Sequence, residues 1–169
     1  MRVGGIFLKI LVMSDSHGRR DLVEKCIRSH SDAEIVLHLG DCTGDFSNMR
    51  FTFPDRMFVN VRGNGDFDRE IPLARVESFG GVKIFMAHGH TYGVKYSLNA
   101  LMTAARNEGA QICLYGHTHE SYNKYHDGLY VMNPGSLAYP RGMSRASYGI
   151  IELCPQGIMT NIVDMENVW

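Results

Sequence analysis

The sequence predicts an α/β protein in which two facing sheets are flanked by helices, organised as a single domain over residues 1–169. Three observations carry that expectation. Short β-type runs alternate with helix-period segments over the first two thirds of the chain, the pattern of βαβ units. The last third is mostly antiparallel strand broken by tight-turn signals. Nearly every apolar run also ends in Asp, Asn or His beside Gly or Ser, and in α/β folds ligands collect outside the carboxyl ends of strands.

Taken in order, the opening Met1–Gly18 offers a basic residue and an apolar stretch, but Lys9 interrupts it and no small-residue cleavage site follows. It therefore reads as a strand rather than a signal peptide. Arg19–His30 has helical spacing, with Leu22, Val23, Cys26 and Ile27 on one face and Arg19, Arg20, Asp21, Glu24 and Lys25 on the other, so the helix is expected to lie on a sheet. Glu34–Asp41 and Arg56–Asn64 are the next strands. Leu73–Phe79 and Val82–His90 form a hairpin about Gly80-Gly81, because glycine supplies the positive φ angles of a tight turn. A second helix is expected over Ser97–Asn107, with Leu98, Leu101, Met102 and Ala105 sharing a face, Ser97 capping its start and Gly109 closing its end. Gln111–Glu120 reads as a buried strand, Ser121–Asn133 as a hairpin turning at Asp127-Gly128, and the tail as a second hairpin about Pro155-Gln156-Gly157.

Composition excludes several classes. At 169 residues, a formal charge of -1, 44% apolar and 21% charged residues, the chain is ordinary for a globular protein. It has no run of Lys and Arg of the kind that long nucleic acid or an anionic membrane would require. No run reaches the roughly 18 apolar residues of a membrane span. Cys26, Cys42, Cys113 and Cys154 form no CxxC pair, which fits reduced thiols and a cytoplasmic protein.

The strand ends read "VMSDSHG", "HLGDCTG", "VRGNGD", "MAHGHTYG" and "LYGHTHES". Any one Asp or His there could merely cap a loop. Five such ends together bring Asp15, His17, Asp41, Asn64, His88, His90, His117 and His119 into one candidate cluster. A donor set of imidazole and carboxylate, with one amide and no thiolate, suits Mn, Fe, Zn or Ni and argues against a structural cysteine zinc site. That set is too large for one ion; two ions sharing a carboxylate, about 3.5–4 Å apart, would use seven of these residues and create a nucleophilic bridging hydroxide.

In order and spacing, Asp15-Ser16-His17, Gly40-Asp41, Gly63-Asn64-x-Asp66, His88-Gly89-His90 and Gly116-His117-Thr118-His119 resemble the calcineurin-like metallophosphoesterase superfamily. The size of the chain and the Asn133–Ser136 "NPGS" resemble its small bacterial and archaeal phosphodiesterase branch. The resemblance implies a four-layer αββα sandwich with helices on both outer sides. It also implies that Asp15, His17 and His119 hold a first divalent ion, Asp41 bridges, and Asn64, His88 and His117 complete a second, with manganese the leading metal. The implied reaction is hydrolysis of a small phosphodiester; Asp41 and Asn64, joined by His90 on the reading of this chain's own residues, are expected to be catalytic.

Larger members of the superfamily carry a His directly after the metal-binding Asn, where this chain has Gly65. His90 is the expected substitute, binding phosphate or donating the leaving-group proton. Asp66 is expected to orient an imidazole, Asn133 and Ser136 to line the rim, and Arg62, Arg141 and Arg145 to be candidate phosphate clamps, whereas His30, His38 and His126 match no motif position. The competing readings are a non-catalytic scaffold like the related retromer subunit, a nuclease, and a monoesterase. Phe51, Phe53, Met57 and Tyr139 are the apolar residues that could form a homo-oligomer interface.

Overall fold

Strand patterning decides the layers. The computed structural model describes residues 8–168, so the part of the expected opening strand before Leu8 lies outside them. In β1 (Leu8–Met13), Ile10 and Val12 point one way and Leu11 and Met13 the other, and all four are fully buried. A strand buried on both faces belongs inside a sandwich. It pairs in parallel with β2 (Ile35–His38), which pairs in parallel with β3 (Met57–Asn60). On its other side it meets the antiparallel hairpin of β9 (Ser147–Cys154) and β10 (Gly157–Asp164). The first sheet therefore runs β10-β9-β1-β2-β3.

The second sheet is built from the middle of the chain. β4 (Ala74–Phe79) and β5 (Val82–Ala87) form the expected hairpin, with Gly80 at φ 55° and Gly81 at φ 81°. β6 (Ile112–Leu114) lies between β5 and β8 (Leu129–Asn133), parallel to both, and β7 (Tyr122–His126) pairs antiparallel at the edge. The order is β4-β5-β6-β8-β7.

The inward faces meet in one core that includes Ile10, Val12, Leu37, Met86, Leu114 and Ile151. Outside the first sheet, α1 (Arg20–Ser29) buries Val23, Cys26 and Ile27 against Leu11, Met13 and Val36. Outside the second, α4 (Asn99–Asn107) buries Leu101 and Ala105 against Phe85, Cys113 and Val131. The result is the four-layer αββα sandwich. Burial pushes the Cys113 thiol up to about 12, and all four cysteines are free.

Several local expectations shift. Leu98 precedes the first residue of α4, but the Ser97 hydroxyl accepts the Asn99 N–H at 3.1 Å, so Ser97 supplies the expected capping bond from one position further upstream. The strand expected over Gln111–Glu120 lasts only from Ile112 to Leu114, since the polar residues beyond leave the ladder to form a loop. Two single-turn helices, α2 (Gly44–Ser47) and α3 (Met49–Thr52), and a 3-10 turn at His90–Tyr92 are too short to leave a periodic signal. Phe51, Met57 and Tyr139 are exposed, but Phe53 is half-buried, with the guanidinium groups of Arg28 and Arg56 over its ring. No helix among the described residues is long and apolar enough to cross a membrane.

Leu37→Ala would open a cavity between the sheets, where neither face can collapse freely. The expected loss is about 3 kcal/mol of unfolding free energy, read from a urea midpoint shift at constant slope.

Candidate metal centre

All six parallel strands carry their polar residues just past their carboxyl ends, at one end of the sandwich. Asp15 and His17 follow β1, Asp41 follows β2, Asn64 follows β3, His88 and His90 follow β5, His117 and His119 follow β6, and Asn133 and Ser136 end or follow β8. The backbone there is strained. Asp15, His17, Asp41, His117 and His119 all have φ between 45° and 69°, leaving only Cys42 and Asp127 as further non-glycine residues with positive φ among those described. Such strain gathers where geometry serves a ligand.

Those loops draw two groups together. Ligand atoms of Asp15, His17, Asp41 and His119 all lie within 4.8 Å of one another. His88 and His117 form a second group, their ring centres 5.1 Å apart, with His90 5.4 Å from His88. Asp41 stands between them, its Oδ2 3.9 Å from His17 Nε2 and its Oδ1 3.5 Å from His88 Nε2. Asn64 occupies an exposed turn between Gly63 and Gly65, and the Gly65 N–H donates to Asp41 Oδ1 at 2.8 Å. A Cβ on Gly63 would overlap the Asp41 carboxylate, and one on Gly116 would overlap the Ser14 hydroxyl and approach Asp15 Oδ2.

The hydrogen-bond inventory is what identifies the chemistry. A carbonyl can only accept, so the 2.7 Å contact of His88 Nδ1 with Leu39 O and the 2.6 Å contact of His119 Nδ1 with Tyr139 O put the protons on those Nδ1 atoms. In the neutral rings, both Nε2 lone pairs then face inward. His119 Nε2 is 3.1 Å from Asp15 Oδ1 and 3.2 Å from His17 Nε2, and His88 Nε2 is 4.0 Å from the same Asp15 oxygen. Asp15 Oδ1 and His88 Nε2 are buried without any hydrogen-bond partner. Acceptors aimed at acceptors in a buried site fit a cation, and histidines oriented by carbonyls through the other nitrogen are the usual metal-ligating form.

Protonation follows the same logic. Burial raises the Asp15 carboxyl, but His119, His17, His88 and Ser14 outweigh it and hold it well below the carboxylate range. Asp41 is lowered likewise, burial being overcome chiefly by His88. Asp15 raises His17, and the two carboxylates raise His88 against its burial. Burial, then the charges of His88 and Lys95, push His117 down to about 4, leaving it unprotonated near neutrality.

The supporting residues depart from expectation. Asp66 orients no imidazole: its carboxylate accepts the backbone N–H groups of Asp41, Cys42, Thr43 and Gly63, tying the β2 and β3 loops together. Asn133 and Ser136 are fully buried rather than on the rim. The Asn133 amide donates to Gly116 O and Thr118 Oγ1, and the Ser136 hydroxyl to Asp15 O. Arg145 pairs with Asp164 and Glu166 and is no phosphate clamp. His38, to which no role fell, is fully buried: Gly40 N–H donates to its Nδ1, so Nε2–H donates to Ser16 Oγ, which donates on to Asp45. An imidazole at the end of an otherwise apolar strand was the only trace of that network in the sequence.

Mutually facing acceptors at the strand ends define a protein that binds divalent metal, and the sandwich that holds them is that of the metallophosphoesterases. Residues 8–156 match the calcineurin-like phosphoesterase superfamily domain, and the chain belongs to that family. It is 29% identical over 148 residues to a probable metallophosphoesterase, YsnB, of Bacillus subtilis, covering 86% of this chain and 85% of that one. It is also 29% identical to phosphodiesterase MJ0936 of Methanocaldococcus jannaschii, over 76% of this chain and 83% of that one. A crystal structure of a conserved Streptococcus pneumoniae protein, described as a predicted phosphoesterase, superposes with a TM-score of 0.80 at 31% identity, covering 96% of this chain and 92% of that one. The protein is thus a metal-dependent phosphoesterase by family.

Asp66→Ala would leave four loop amides without their acceptor. The expected cost is about 2–4 kcal/mol of unfolding free energy by chemical denaturation, several times that of removing an exposed surface carboxylate.

Proposed function

We propose that the chain is a phosphodiesterase working through two divalent ions, and the position of Asp41 between the two groups of donors is the observation that carries this reading. Its two carboxylate oxygens address different groups, Oδ2 toward His17 and Oδ1 toward His88. Asp15, His17 and His119 would hold one ion, and Asn64, His88 and His117 the other, with Asp41 common to both. When bound, such a pair supplies Lewis acidity toward the phosphoryl oxygens and a nucleophile near neutral pH.

The chain's own residues set the rest. Asp66 and the Gly65 N–H hold Asp41 in place. His90, half-buried with an Nδ1 that has no partner, is assigned to the substrate, as a phosphate contact or as the donor of the leaving-group proton. A Cβ at residue 65 would lie 3.2 Å from Asp41 Oδ1, so this turn packs against the carboxylate and offers no acid of its own. That favours esters whose leaving groups need no protonation. The phosphodiesterase named among the relatives supports diesters over monoesters. The mixed carboxylate, amide and imidazole donor set accepts manganese, the metal we assign, as well as Fe, Zn or Ni. A scaffold that had lost catalysis would not need to keep unpaired acceptors buried, and their retention favours the enzyme.

Purified protein supplied with manganese is expected to hold two equivalents by elemental analysis and to hydrolyse bis(p-nitrophenyl) phosphate. Asp41→Ala should abolish that turnover; full activity in the variant would overturn the two-ion reading. His90→Ala should lose at least about tenfold on diesters with poor leaving groups, and full turnover there would remove His90 from the site. Because neighbouring carboxylates raise His17 and His88, both must shed protons to coordinate. Metal uptake measured by calorimetry should release protons and weaken as pH falls from about 8 to about 6.

A further inference from the structure

Beside the acceptor cluster, and not part of it, lies a pocket of about 380 Å³. It joins the cluster through Thr118, the residue between His117 and His119, and through Arg141, whose N–H donates to His119 O at 3.0 Å. Tyr115, nearly buried, and half-buried Tyr122 give it aromatic surface. Two cations line it, Lys95 and Arg141, against one acid, Glu120. Neither cation enters the ion pairs formed among the described residues, unlike Arg19, Arg28, Arg75 and Arg145.

A phosphodiester seated at the cluster must send its two ester arms somewhere, and this pocket adjoins the cluster. The volume sits near the lower end of the roughly 300–1,000 Å³ typical of ligand pockets, which suits one ring-bearing arm and not a polymer. Two unpaired cations at its walls suit an anionic group on that arm, since a hydrogen bond between ions is stronger than one between neutral groups. We propose that this pocket binds one ester arm of the substrate, a planar group carrying a second phosphate or carboxylate, with Lys95 and Arg141 holding that anion. The inference rests on the phosphodiesterase reading for its orientation, but the pocket itself can be tested by binding.

Calorimetric titration of the full-length protein with thymidine 5'-phosphate and with thymidine 3',5'-bisphosphate, each with and without manganese, separates the two. The bisphosphate is expected to bind roughly tenfold more tightly, the size of one charge-assisted contact to an exposed cation. The double variant Lys95→Gln/Arg141→Gln, altered only at exposed side chains, should lose that preference. Equal affinities in the unaltered protein, or a preference that survives in the double variant, would overturn the inference. A preference present in the unaltered protein and lost in the double variant, with manganese having no effect on either ligand, would support the pocket and overturn the metal-centre reading instead.

Discussion

Everything at the carboxyl end of this sandwich depends on burying acceptors that face one another. Asp15 Oδ1 and His88 Nε2 lie in the interior with no donor, while carbonyls of Leu39 and Tyr139 hold His88 and His119 in the tautomer that turns lone pairs inward. In a folded interior an unpartnered polar atom costs about 1–3 kcal/mol, and more if charged. A protein assembled for stability alone would fill that space with apolar side chains. Protons on His17 and His88 relieve the conflict in part, which is why both are drawn upward in pKa. A divalent ion relieves it more fully.

Holding that arrangement requires a costly backbone. Five donor residues sit in the left-handed region, at roughly 1 kcal/mol or more each, a sum comparable to the lower range of a domain's net stability. Hydrogen bonds elsewhere in the fold offset it: Asp66 gathers four amides from two loops, His38, Ser16 and Asp45 form a chain beneath the Asp15 loop, and Asn133 and Ser136 brace the loops from β6 and β1. None of these residues needs to touch a substrate. They keep the donors within ångströms of one another, and supporting groups of this kind are typically worth about 10–100-fold in metal affinity or activity.

The layers were legible because a strand buried on both faces reads as a continuous apolar run, as Ile10, Leu11, Val12 and Met13 do. The two long helices were legible from apolar spacing at period 3.6. α2, α3 and the 3-10 turn after Gly89 were not, because one turn of helix has too few residues to show a period. The donor residues announced themselves by type and by their place after apolar runs. Their supports did not: Asp66, Asn133 and Ser136 act through backbone amides and carbonyls, which every residue possesses and no side-chain pattern records.

By itself, the sequence determined the sandwich, the end of it that carries the chemistry, and the identity of the residues gathered there, since all three follow from periodicity and residue type. Only the tertiary structure decided that Asp66 serves backbone rather than imidazole, that Arg145 is occupied elsewhere, and that Lys95 and Arg141 share a pocket. Those facts depend on distances across loops from different strands, and such distances are set by how two sheets pack together rather than by any local stretch of chain.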